Sequence, residues 1–164
     1  ATRAAMGDTY PDGAVDDVLF WMADAGRLGK KSNAGFYAYD DAGKRGALWD
    51  GLPGEYPVTE DQPDLTHVQH RLLMAQVLEA VRALEEGVLT DIREGDVGAI
   101  LGWGFAPWSG GPFGWLDIIG AARAVEICDA LTATYGARFA APQMLRDMAA
   151  KGQTFYPAAA AKAA

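Results

Sequence analysis

Apolar residues recur at helical spacing along most of the chain. From Ala14 to Ala25, Val15, Val18, Leu19 and Met22 share one face, and Asp16 and Asp17 fall early, where negative charge suits the positive end of a helix. Gly26 stops this pattern. The longest run spans Asp64 to Leu89, with Leu73, Val77, Val81, Leu84 and Val88 at steps of three and four and with Glu79, Arg82, Glu85 and Glu86 marking the solvent side. A second helix is predicted from about Arg93 to Leu101, with Val97, Ile100 and Leu101 repeating the apolar face. Three more follow: 112–119, with Pro112 in its first turn; 121–135, lined by Ala121, Val125, Cys128, Leu131 and Tyr135 and stopped by Gly136; and 142–150, ending before Gly152. Only Phe36, Tyr37 and Tyr39 alternate as an extended ribbon would. The pattern predicts an all-α fold with one short aromatic ribbon near the amino terminus.

The helical patterns run into and out of Leu101–Gly120, LGWGFAPWSGGPFGWLDIIG, which carries three of the five tryptophans among closely spaced glycines and two prolines. Glycine opens backbone conformations closed to other residues and proline removes a donor, so a bend is expected here. Its aromatic content predicts that the bend is buried or half-buried, with Trp103, Trp108 and Trp115 as core or interface anchors. Gly102, Gly104, Pro107, Gly111, Pro112, Phe113, Asp117 and Gly120 are the expected structural residues of this corner.

One internal repeat is visible. Residues 19–26 and 145–152 share L-x-x-M-A-x-x-G, and each run is followed by Phe-Tyr, at Phe36-Tyr37 and Phe155-Tyr156. Between them, residues 40–63 hold Gly51, Pro53, Gly54 and Pro57 among polar groups, the composition of a boundary. The expected organisation is residues 1–39 as the closing segment of a first copy, 40–63 as a linker, 64–156 as a second copy, and 157–164 as a frayed, Ala-rich tail. A chain that carries the end of one copy and the whole of another reads as a carboxy-terminal fragment of something larger.

Charge narrows the partners. Twenty-two acidic residues against 14 basic ones give a net charge of −8, and the resulting long-range repulsion argues against nucleic acid or an anionic membrane surface. No apolar run approaches the ~20 residues that span a bilayer. The lone Cys128 excludes an internal disulfide and favours a reducing, cytoplasmic location.

The residues that could carry chemistry fail on spacing. His67 and His70 lie three apart, as two metal ligands on one helix would, but no second His or Cys cluster completes the set, so no metal site is expected. Ser109 follows Pro107-Trp108, whereas a nucleophile elbow needs glycine two positions before the serine. The corner glycines follow no strand and match no G-x-G-x-x-G, so they are expected to allow close packing and not to bind phosphate. Arg27, Lys30 and Lys31 form the one basic patch, either a solvated turn or a contact for the phosphates of coenzyme A. These readings leave open an independent helical interaction module or a small acyl-CoA-binding protein.

Three stretches together resemble the carboxy-terminal domain of the NAD-dependent 3-hydroxyacyl-CoA dehydrogenases: GRLGKKSNAGFYAY at 26–39, RLLMAQVLEAVRALEEGV at 71–88, and the corner at 102–120. In a single-copy member the long helix and corner come first and the G-F-Y closure last. Here a closure precedes them, which resembles the multifunctional β-oxidation proteins, with two such domains in tandem after an enoyl-CoA hydratase and a dinucleotide-binding domain. LRDMAAKGQTFYP at 145–157 is similar to their terminus. The resemblance implies a parent that oxidises 3-hydroxyacyl-CoA to 3-ketoacyl-CoA with NAD, acting through a His-Glu pair in its dinucleotide domain and an Asn at the start of the long helix. Where that Asn would stand, this chain has His70. No catalytic, cofactor-binding or metal residue is therefore carried onto this chain. The resemblance implies a pseudo-dimerisation and cleft-supporting module whose partners are the upstream dinucleotide-binding and first carboxy-terminal domains, with homo-oligomerisation as a further expectation.

Overall fold

The computed structural model describes residues 2–7 and 13–156; the tail expected at 157–164 lies outside them. The chain divides into two compact units, Ala1–Gln62 and Pro63–Ala164.

The first unit holds the short helix α1 (Thr2–Met6), helix α2 (Ala14–Asp24), a two-stranded antiparallel ribbon of β1 (Tyr37–Tyr39) and β2 (Arg45–Leu48), and the short helix α3 (Leu52–Glu55). Tyr37 faces Leu48 and Tyr39 faces Arg45, with a register shift between them. β2 and α3 lie within the 40–63 segment expected as a linker: Gly43 sits in the turn of the ribbon, and Pro53 and Gly54 lie inside α3. Aromatic contacts take the place of a large core. Trp21 stacks on Trp49 at 5.0 Å and meets Tyr56 edge-on at 5.5 Å. Met22 is buried, but Val15, Leu19, Phe20 and Phe36 are exposed.

The second unit consists of α4 (Leu65–Glu85), α5 (Ile92–Trp103), α6 (Pro112–Ile119), α7 (Ala121–Tyr135) and α8 (Gln143–Lys151). Side-chain caps start the first two: Asp64 accepts from the His67 N–H at 3.1 Å, and Asp91 from the Arg93 N–H at 2.9 Å, satisfying donors that have no partner inside the helix. The core runs from Met74, Val77, Leu78 and Val81 on α4 through Phe113 and Leu116 on α6 to Cys128, Leu131 and Leu145 on α7 and α8. Burying each large apolar side chain contributes roughly 1.5–3 kcal/mol.

Two sequence expectations are displaced. α4 ends at Glu85, so Val88 lies beyond it and is exposed; Val77 and Val81 are buried as expected, and the buried stripe is wider than expected, taking in Met74 and Leu78. On α5 the expected apolar face is only partly the buried one: Ile100 packs against the core, but Val97 and Leu101 are exposed, and Asp96 and Ala99 are buried. The reason is chemical. Asp96 has backbone donors to meet inside, and the helix turns to bring it to them.

Candidate functional site

The bend itself is shorter than its composition suggests. α5 continues to Trp103, a single 3-10 turn occupies Pro107–Ser109, and α6 begins at Pro112, leaving the glycines around the turn to reverse the chain. Gly104 ends α5 with φ +78°, and Gly111 stands before α6 with φ +110°, conformations that favour glycine. Space is also absent at Gly111, where a Cβ would lie 2.4 Å from the Asp96 Cβ. Gly102 is different: a Cβ there would meet nothing within 4 Å. Pro107 opens the 3-10 turn, Pro112 opens α6, and Gly120 separates α6 from α7.

Gly111 cannot cap α6 with a side chain, so the cap comes from elsewhere in the fold. The Asp96 carboxylate, 3 % exposed, accepts from the Phe113 N–H at 2.8 Å and the Gly114 N–H at 3.2 Å. Its negative charge sits at the positive end of α6, where first-turn donors lack partners inside the helix. From the other end of α6, Asp117 accepts from the Phe155 and Tyr156 N–H groups, both at 2.8 Å. The Phe155 ring meets Phe113 at 4.9 Å, and the Tyr156 hydroxyl donates to Asp96 Oδ2 at 2.8 Å. Two carboxylates thus lock the Phe-Tyr closure onto the corner. Burial, then the hydrogen bond to Asp96, pushes the Tyr156 hydroxyl up to about 12.

Asp96 was not singled out from the sequence, because an aspartate on a predicted helix ordinarily faces water. The readable signal was its counterpart: a Gly-Pro helix start without a capping side chain of its own needs an acceptor from another element.

The remaining candidates fall into place around this lock. Ser109 is buried, its hydroxyl donating to the Ala106 carbonyl at 2.6 Å and accepting from the Gly111 N–H at 3.2 Å, so it closes the turn. Cys128 is buried against Met74, and desolvation pushes its thiol up to about 11, far from a reactive thiolate. His67 and His70 line one small cleft, and no group of three metal-ligating side chains exists among the described residues. In the first unit, Arg27 donates to the Gly35 carbonyl at 2.7 Å and lies 4.2 Å from the Trp49 ring centre, while Lys30 runs along Gly43 and Lys31 is exposed. Of these three only Arg27 lines that unit's apolar cleft of about 450 Å3.

The corner has a second, outward side. The expectation of a buried or half-buried bend holds for Phe105, Phe113 and Trp115, but Trp103 is 60 % and Trp108 73 % exposed. Val97, Leu101 and Ile118 are exposed as well. Trp103 Nε1 donates to Gln76 Oε1 at 3.1 Å, which ties its ring to α4.

No helix among the described residues is long and apolar enough to cross a membrane. The model of the 3-hydroxyacyl-CoA dehydrogenase C-terminal domain matches residues 67–159, a span that takes in the corner, Asp96, Asp117 and the closing Phe-Tyr pair. Over 155 residues the chain is 41 % identical to the fatty acid oxidation complex subunit alpha of Shewanella amazonensis (strain ATCC BAA-1098 / SB2B), covering 92 % of this chain and 21 % of that protein. The chain therefore spans about a fifth of the length of this relative. With the family's domain model laid over the whole locked corner, the chain belongs to the 3-hydroxyacyl-CoA dehydrogenase C-terminal domain family.

Proposed function

We propose that this chain serves a dehydrogenase that oxidises 3-hydroxyacyl-CoA to 3-ketoacyl-CoA with NAD, as a docking and cleft-supporting module in the manner of a built-in dimer partner. The observation that carries this reading is the outward side of the corner. Trp103 and Trp108 are exposed, as are Val97, Leu101 and Ile118, while Phe113 and Trp115 of the same corner fill the core. Large aromatics held rigidly on a surface are the residue types that anchor protein interfaces.

The residues present do not fit a dinucleotide. Among the described residues the only sheet is a two-stranded antiparallel ribbon, and no parallel strand delivers a glycine-rich turn to a helix start. The titratable groups buried in the second unit are committed elsewhere: Asp96 to backbone donors and Tyr156, Cys128 to the core. On this reading hydride transfer belongs to the rest of the parent. Residues 1–39 are then the closing segment of a first copy, whose helical body covers the face carrying Leu19 and Phe36.

The test mixes the 164-residue chain with the dinucleotide-binding half of a dehydrogenase of this family and follows association by sedimentation. A complex that is lost in the Trp103→Ala/Trp108→Ala double variant is expected. Absence of a complex, or one indifferent to both substitutions, contradicts the docking role. NADH formation from a 3-hydroxyacyl-CoA by the isolated chain would contradict the supporting role.

A further inference from the structure

Among the described residues of the second unit, two arginines have no carboxylate partner. Of the six arginines in residues 63–164, four are paired at 2.5–2.8 Å: Arg82 with Glu79, Arg93 with Asp91, Arg123 with Glu126 and Arg146 with Asp129. Among the described residues, Arg71 and Arg138 are in no ion pair, and both line the same cleft, between the start of α4 and the end of α7. In a chain with a net charge of −8, a cleft with two unpaired guanidinium groups and no carboxylate in its lining is a local reversal of sign.

The cleft is also built. The Arg71 guanidinium lies 4.0 Å from the Tyr135 ring centre, and the Tyr135 hydroxyl is 2.8 Å from His67 Nε2, so the cation is seated on an oriented ring. Arg138 lies on the Phe139 side, and the Phe139 ring meets Tyr135 edge-on at 6.0 Å. The nearest acid in sequence, Asp64, is occupied with the His67 backbone N–H. Val68, Leu72 and Ala75 supply an apolar wall, and the volume is about 390 Å3, room for a small molecule.

We infer that this cleft binds a small phosphomonoester, the phosphate held by Arg71 and Arg138 and its organic part laid on the apolar wall. A guanidinium group matches the oxygens of a phosphate dianion through fork-shaped hydrogen bonds, and the aromatic floor keeps water away from one side. The inference goes beyond the dehydrogenase reading and does not depend on it: the docking side of the corner could fail its test and this cleft would stand.

The experiment is calorimetric titration of the 164-residue chain at low salt with phenyl phosphate and with adenosine 3′,5′-bisphosphate, each against its neutral counterpart, phenol or adenosine. Saturable binding of at least one phosphate, and of neither neutral compound, is expected. Arg71→Gln or Arg138→Gln weakens it by about tenfold or more, and Arg123→Gln, on a surface arginine already paired, leaves it unchanged. All three side chains are exposed, so folding is not at stake. Preference for the adenosine compound identifies a nucleotide-type source and supports the site; equal binding of phenyl phosphate identifies a simple phosphate ester and supports it equally. No saturation up to about 10 mM, the range where affinity becomes negligible, overturns the inference. So does binding that Arg123→Gln weakens as much as the cleft variants do.

Discussion

Leu19 and Leu145 open the same L-x-x-M-A-x-x-G run, yet Leu19 is 53 % exposed and Leu145 is 0 % exposed. Both runs form a helix ended by a glycine of positive φ, and both lead to a Phe-Tyr pair. In the second unit that pair is clamped by Asp117 and Asp96, with the Phe155 ring tilted against Phe113; in the first, Phe36 is exposed and the flanking backbone is tied into a ribbon, the Phe36 carbonyl accepting from the Trp49 N–H at 2.8 Å. A local pattern thus fixes the helix and its stop, whereas burial is decided by what packs on it. Apolar periodicity names the face that would be covered and is silent on whether anything covers it.

Truncating the two matched leucines should have very different effects. Leu145→Ala is expected to lower stability by about 2–5 kcal/mol, the range for a fully buried leucine, and Leu19→Ala by no more than about 0.5 kcal/mol. Urea denaturation followed by circular dichroism separates the two; equal losses would mean that Leu19 is covered too.

The corner offers a second contrast between two glycines. Gly111→Ala combines a strained φ with a collision on Asp96 and is expected to cost roughly 2–4 kcal/mol. Gly102→Ala places a methyl in open space on α5 and is expected to stabilise by about 0.5–1 kcal/mol. Thermal melts of both variants read the difference in sign.

Removing one clamp tests the lock itself. Asp117→Ala leaves the Phe155 and Tyr156 N–H groups without their acceptor, at a cost of about 1.5–3 kcal/mol. Denaturation of this variant should show the second unit weakened and the first unchanged.

A smaller effect follows from the Cys128 thiol, raised by burial from 9.0 to about 11. A group whose folded pKa lies above its unfolded value gives its full contribution below the unfolded value and loses it as pH rises through the folded one. Stability should therefore fall between pH 9 and 11 by roughly 1–3 kcal/mol, and Cys128→Ala should flatten that slope relative to wild type.

Much of this fold was legible in the chain, for identifiable reasons. The helix over 121–135 matches α7 because its apolar line and its Gly136 stop agree, and Pro112 starts α6 where a missing N–H costs least. On α5 the periodicity is legible at Ile100 but not at Val97 and Leu101, because a buried aspartate outweighs these two exposed aliphatics, and only the tertiary need for a cap at Phe113 and Gly114 explains it. The ribbon partner β2, RGAL, is exposed at every position and so carries no alternation to read. The cleft at Arg71 and Arg138 is assembled from residues 67 positions apart, which no local pattern reports.

The most direct test of the contrast between a covered and a bare copy of one motif is native-state amide hydrogen exchange on the intact chain, comparing α8 with α2. The amides of α8 are expected to open only with the second unit as a whole, and those of α2 to exchange roughly a hundredfold faster or more through local opening. Equal protection of the two helices would contradict it.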